Sequence, residues 1–374
     1  MNFDLFAFWA GNQTSMDQIP DYYCKQQYLL TREGNDARKT YQNSIKSIPD
    51  LSKMSSFEPK PSIIESLPLY SFFSQFEFSM ATPFLSKDDA IFHICNNPAR
   101  KDKVFKVPMI SGSSWKGNIR WTAMKLFENE LPEKIDRSSI EEYLRRRAQL
   151  VRLFGYEKDA IEDYIDNLIA QALVNAGSGK LKDQKELIKN EFAEFLKGKG
   201  YVSSGVEGRR GRLNFYPTFL NSIGLEVINP HDRKTKAGTL PIYIESVPAE
   251  AHGVFSLLYV PFDLIGKKSV EAEVVADLRL IERAVRSAML TYGFSAKKGD
   301  GFGIASYNLK KINVKIKGVA IEDKTEPGKE PKKVLKSFAE LRPVKPENES
   351  GNFDTLCQKI NALISAMRGN YEAD

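Results

Sequence analysis

The sequence predicts an α+β protein, and three observations point there. Residues 72–84 alternate apolar and polar side chains with the period of a half-buried strand. Amphipathic patterns at three- and four-residue spacing follow it, and strand-like stretches cluster between 212 and 262 before one more helix and a closing strand. At 374 residues, with 42% apolar and 27% charged side chains, the chain suffices for one large or two modest cores.

Taken in order, residues 1–70 are polar and contain Pro20, Pro49, Pro59, Pro61 and Pro68, so they read as an irregular N-terminal arm wrapped on something else. The first strand buries Phe76, Phe78 and Met80 and exposes Gln75, Glu77 and Ser79. A helix is expected after a glycine turn at Gly117, with Ile119, Ala123, Leu126 and Phe127 on one face. A second helix runs from Ile140 to Phe154, ends at Gly155, and carries Arg145, Arg146 and Arg147 on its outward side. Residues 156–204 form a helical insertion of two amphipathic segments divided by the turn at 176–180. Strands are expected at 212–219, 225–228, 240–247 and 254–262, a helix at 277–291 and a strand at 312–318. The charged stretch 322–333 reads as a linker, and 353–367 as a last helix with Phe353, Leu356, Ile360, Leu363 and Ile364 inward. The division is thus an arm (1–70), a core in two parts (71–155 and 205–321) around the insertion, and a linker with C-terminal helix (322–374).

The 54 Lys and Arg against 48 Asp and Glu leave a net charge of +6, which permits a polyanionic partner without demanding one. No run approaches the roughly 18 uncharged apolar residues of a membrane span. The opening residues MNFDLFAFWAGNQ lack a basic leader and cleavage site, so a cytoplasmic protein with no membrane partner is expected. Cys24, Cys95 and Cys357 lie far apart, which points to neither a disulfide framework nor a structural zinc site.

Two glycine-rich stretches have the form of anion-binding turns. Gly112, Ser113, Ser114 and Lys116 open a helix that carries Arg120, where unpaired backbone N–H groups and the helix dipole favour an anion; an ordinary N-capped helix has the same residues. Lys297 and Lys298 sit in a loop whose Gly299, Gly301 and Gly303 let backbone approach a ligand, and a helix C-cap followed by a hairpin turn fits equally. Neither stretch is a Walker A loop or a nucleophile elbow. Arg233, Lys234 and Lys236 lie in a third, basic loop, which also suits a solvated hairpin. His93, His231 and His252 are spaced too widely for a helix-borne metal site.

In this order the segments resemble the RAMP superfamily, the ferredoxin-like subunits of type III CRISPR complexes. Ala81-Thr82-Pro83 resembles the turn that ends the family's first strand. Residues 108–120, Pro-Met-Ile-Ser-Gly-Ser-Ser-Trp-Lys-Gly-Asn-Ile-Arg, depart from its Pro-x-Ile-Pro-Gly-Ser-Ser-x-Lys-Gly-x-x-Arg only at Ser111. Leu153-Phe154-Gly155, Gly211-Arg212-Leu213, the stretch from Asp232 to Ala249 with Phe255, and the closing Gly301-x-Gly303 are also similar, while Tyr216-Pro217 replaces the usual acidic continuation. The similarity covers 72–155 and 205–318.

The resemblance implies a ferredoxin-like (RRM-like) core and a cytoplasmic, RNA-binding role in antiviral defence. The chain would hold the sugar-phosphate backbone of a CRISPR guide RNA while base pairing reads a target RNA, alongside other type III effector subunits. It assigns Lys116, Arg120 and the Ser113 and Ser114 amides to phosphates first, Lys297, Lys298 and the 299–303 amides second, and places Arg233, Lys234 and Lys236 between guide and target. Target-cleaving relatives carry an Asp in an Asp-x-Pro loop where this chain has Asn96, and an amide has neither the charge to bind a divalent ion nor the basicity to take a proton. Weak or absent cleavage follows unless Asp102, Asp88 or Asp89 substitutes. No cofactor is expected, with Mg2+ needed only if the subunit cuts. A metal-independent endoribonuclease that processes guide precursors, with His93 or His231 as base, is the other enzymatic possibility.

Overall fold

Strand β1 (Phe72–Met80) keeps the alternation its sequence carries: Phe72, Phe76, Phe78 and Met80 are buried on one face, and Phe73 on the other. The computed structural model describes residues 51, 54–88, 97–156, 162–201, 209–229, 234–235, 238, 241–267, 270–319 and 350–369. A short β2 (Met109–Ile110) leads into α1 (Gly112–Glu130), then α2 (Ile140–Phe154), which stops where Gly155 takes a φ of 90°. Next come β3 (Gly155–Tyr156), the helical pair α3 (Glu162–Asn175) and α4 (Leu181–Gly198), and the short strands β4 (Arg209–Arg210), β5 (Leu213–Phe215) and β6 (Thr218–Phe219). β7 (Gly224–Ile228) and β8 (Ile242–Ser246) pair only with each other among the described strands. β9 (His252–Tyr259), α5 (Val270–Ser287), β10 (Ala305–Ile316), β11 (Gly351–Asn352) and α6 (Phe353–Gly369) complete the chain.

The main sheet has the order β11-β10-β1-β9-β5 with every neighbour antiparallel. Setting β11 aside, the succession β1-α1-β5-β9-α5-β10 with β1 and β9 central is the ferredoxin-like arrangement, with a helical insertion between α2 and β4 and an added C-terminal helix. Trp115, Ile119 and Phe127 of α1, Leu278, Ile281 and Val285 of α5, and Phe353, Leu356 and Ile360 of α6 fill one core with the β1 phenylalanines. Ile165, Ile169, Ile188 and Phe192 of the helical pair belong to that same core. The opposite sheet face is not open: Phe73 and Leu258 pack under Ile64, with Ile63, Leu67 and Tyr216 around them. The described end of the N-terminal arm therefore lies on the chain's own sheet.

Four expectations need correction. The first helix begins at Gly112, so Gly117 stands inside it rather than at a turn. The 277–291 helix begins at Val270 and widens into a single π turn at Ala288–Tyr292. The closing strand begins at Ala305. The arginine run is not a single solvated face: Arg145 pairs with Glu141 and Arg146 with Glu130, but Arg147 is buried against Asp166 at 2.5 Å, with its guanidinium 3.6 Å from the Phe192 ring centroid. The linker at 322–333 lies outside the described residues.

A buried ionic cluster fastens β5 and β9 to α2 and α5. Arg212 is fully buried and donates to both Asp263 carboxylate oxygens at 2.6 Å, to Glu273 at 2.5 Å and to Asp277 at 2.9 Å. Arg152 donates to Asp277 at 2.8 Å, Arg209 pairs with Asp263, and the Tyr259 hydroxyl donates to Asp277 at 2.9 Å. Burial and the adjacent charge of Asp277 both push the Tyr259 hydroxyl well above its ordinary pKa, so it stays a donor. Three arginines facing three carboxylates leave the cluster neutral, the condition under which buried charges are tolerated.

Candidate nucleic-acid interface

Three segments far apart in sequence meet at one end of the sheet. Ser111 caps α1, its hydroxyl accepting from the Ser114 amide at 3.1 Å. The loop after α5 is sewn to the turn after β1: Leu85 N–H donates to Ser295 Oγ at 2.7 Å, Ala296 N–H to the Leu85 carbonyl at 2.9 Å and Gly303 N–H to the Pro83 carbonyl at 2.8 Å. Ile304 N–H reaches Thr82 Oγ1 at 2.9 Å, which gives the Thr-Pro turn a physical role. Asn118, in the second turn of α1, donates its amide to the Ser114 carbonyl at 2.9 Å and the Phe294 carbonyl at 3.3 Å, joining helix to loop.

The remaining side of Asn118 faces Lys298. Lys298 Nζ donates to Asn118 Oδ1 at 2.7 Å and stands 4.5 Å from the centroid of the Trp121 ring. Burial pushes the Lys298 ammonium below its ordinary pKa. An amide oxygen and an indole face hold this cation in place without cancelling its charge, so an arriving anion would meet an oriented positive group.

The residues expected to bind an anion divide on inspection. Lys116 and Arg120 are half-buried along α1, Ser113 is exposed, and Gly299 and Gly301 are exposed with open space where a side chain would stand. Lys297 is exposed and has Asp300 at 3.9 Å. Gly112 and Gly303 serve the fold instead. A Cβ at Gly112 would come within 2.3 Å of the Phe215 carbonyl, and one at Gly303, where φ is 77°, within 2.2 Å of Ser295 Cβ. The Ser114 amide is already taken by its cap. Lys234 is exposed in the loop beyond β7, while Arg233 and Lys236 lie outside the described residues. Asn118, Trp121 and Tyr292 are additions that sequence reasoning missed. Asn118 lies in the quoted motif and Trp121 one residue past it, but nothing local marks their partners in the 292–298 segment, which lie more than 170 positions away.

The RAMP superfamily model matches residues 81–365, well over half of the chain. The chain belongs to the RAMP superfamily. The match takes in both helices of the insertion and most of α6, segments that the motif resemblance left out. No curated protein sequence matches. Among solved structures, a chain of the type III-B Cmr-beta bound to cognate target RNA is similar at 13% identity and a TM-score of 0.41, over 84% of this chain and 88% of that one. A chain of a type IV-B CRISPR complex is similar at 13% identity and 0.34, over 73% and 100%. Cmr6 from Pyrococcus furiosus is similar at 16% identity and 0.28, over 64% and 98%.

In this RAMP chain one acidic candidate is engaged by its own backbone. Asp102 Oδ1 accepts from the Val104 and Phe105 amides at 2.9 and 2.8 Å, so its carboxylate braces its own turn. Asp88 is half-buried beside the Pro98 carbonyl, which its amide meets at 2.9 Å; Asp89, Asn96, His93 and His231 lie outside the described residues. His252 is exposed at the start of β9. The buried Glu245 carboxylate pairs with Lys101 and accepts from the Ala99 amide at 2.9 Å, pinning the loop that follows Asn96 onto β8. Among the described residues no three His, Cys, Asp or Glu side chains gather as metal ligands, and no helix is long and apolar enough to cross a membrane.

Proposed function

We propose that this chain is an RNA-holding subunit of a CRISPR ribonucleoprotein effector of type III, in which it cradles the guide RNA backbone while the bases pair with target RNA in antiviral defence. One observation carries the reading: the start of α1 and the 297–303 loop meet through the Lys298–Asn118 bond, beside exposed glycine backbone and the cations Lys116, Arg120 and Lys297. A polyanionic strand is the ligand such a surface suits, because it repays several cations at once through released counterions. Membership of the RAMP superfamily supports the same reading. The other effector subunits are its protein partners, and RNA its ligand.

The subunit holds RNA without cutting it. Asn96 stands where a cleaving relative would carry an aspartate, and Asp102 already accepts two amides. The test is to purify the full chain at low salt and extract its nucleic acid. RNA that accompanies the wild-type chain and is lost from a Lys116→Ala/Arg120→Ala/Lys297→Ala/Lys298→Ala variant supports the proposal. A nucleic-acid-free wild type that also ignores added RNA contradicts it. Magnesium-dependent cutting of complementary RNA that an Asn96 substitution alone abolishes would contradict the non-cleaving part.

A further inference from the structure

The tryptophan that helps to hold Lys298 also presents an exposed aromatic surface beside the lysine site. Trp121 is 39% exposed, although the other tryptophan among the described residues, Trp115, is wholly buried. The Tyr292 ring meets Trp121 in a T-shaped contact at a centroid distance of 5.2 Å and an interplanar angle of 89°. Asn129 holds the Tyr292 hydroxyl at 3.1 Å, so the indole is braced from the π turn that ends α5. Lys298 Nζ lies over the ring, while Lys125, 5.9 Å from the centroid, is engaged by Glu128 at 2.5 Å and Tyr164 at 2.7 Å.

We propose that Trp121 is a stacking platform for one unpaired nucleobase of the RNA whose phosphate meets Lys298 and the exposed Gly299 and Gly301 backbone. The inference rests on the RNA-holding reading and goes beyond it, since the contact with Lys298 still leaves Trp121 39% exposed. The chemistry favours a nucleotide over a protein side chain. An exposed indole with an uncancelled ammonium and open glycine backbone beside it suits a ligand that joins an aromatic ring to a phosphate. Stacking also tolerates any base, as a subunit carrying different guides needs.

The experiment measures binding of the full chain to an end-labelled single-stranded RNA about ten nucleotides long and to an abasic strand of equal length and charge. Trp121→Ala is expected to weaken binding to the base-containing strand on the order of tenfold and to leave abasic binding unchanged. Trp121→Phe, which keeps a π face, should stay within about threefold of wild type. Equal losses on both strands would show that the indole merely positions Lys298, and unchanged affinity would show that it touches no base; either overturns the platform and leaves the RNA-holding reading intact. Wild-type chain that binds neither strand overturns both. Crosslinking of Trp121 to a protein subunit instead of RNA in the assembled effector would make it a subunit contact and would also overturn the platform.

Discussion

Around Arg212 every guanidinium faces carboxylates, whereas Lys298 faces an amide oxygen and an indole ring. The difference separates two uses of positive charge that residue type alone does not distinguish. Arg152, Arg209 and Arg212 neutralise Asp263, Glu273 and Asp277 and hold β5 and β9 to α2 and α5, so their charge is consumed inside the fold. Lys298 is oriented by groups that carry no net charge, so its field extends outward. On the proposed reading, a cation held by neutral partners, as Lys298 is, keeps its charge for a phosphate, and one enclosed by carboxylates does not.

The largest expected break in that comparison is Arg212→Ala. Removing it strands buried carboxylates, at a cost of about 3–5 kcal/mol in urea unfolding, and whatever fraction stays folded should bind RNA as wild type does. Asn118→Asp sharpens the contrast from the other side. A carboxylate beside Lys298 makes the site resemble the Arg212 cluster, so RNA affinity should fall on the order of tenfold, while a half-buried pair changes stability by only about 1 kcal/mol. Lys298→Ala should weaken RNA binding several-fold and lower its salt dependence by about one phosphate contact, with little change in the urea midpoint.

The smallest effect is on pH dependence. The Lys298 ammonium is held below its ordinary pKa by burial, and a bound phosphate favours the charged form. Binding therefore takes up protons as pH rises through the lowered pKa, and affinity declines on the alkaline side. Lys298→Arg, charged throughout, should flatten that decline in titrations from neutral to alkaline pH. A decline that survives the arginine would assign it to another group.

The same contrast accounts for what was legible in the sequence. Strand β1 and helix α6 show clean periods because their inward residues are apolar except for the small Ser74, as Phe76, Phe78 and Met80 or Leu356, Ile360 and Leu363 illustrate. The start of α5 was hidden because Glu273 and Asp277, bound to arginines from other elements, flank the buried Val274 and Val275 and interrupt the apolar stripe. Arg147 misled for the same reason, its carboxylate partner sitting on another helix. At the site, the glycines and lysines are visible as motifs, but Gly112 and Gly303 prove to be close contacts of backbone with the rest of the fold. The Asn118–Lys298 bond spans 180 positions, and no local pattern encodes such a pairing.

The most direct test of the account is the slope of RNA affinity against salt for the full chain. Replacing Lys116, Arg120, Lys297 and Lys298 by alanine should reduce the slope of log K against log salt by about 3, the release expected when four phosphate contacts to a single strand are lost. A slope that is the same in wild type and variant, or binding that ignores salt altogether, would contradict the claim that these cations meet a phosphate backbone.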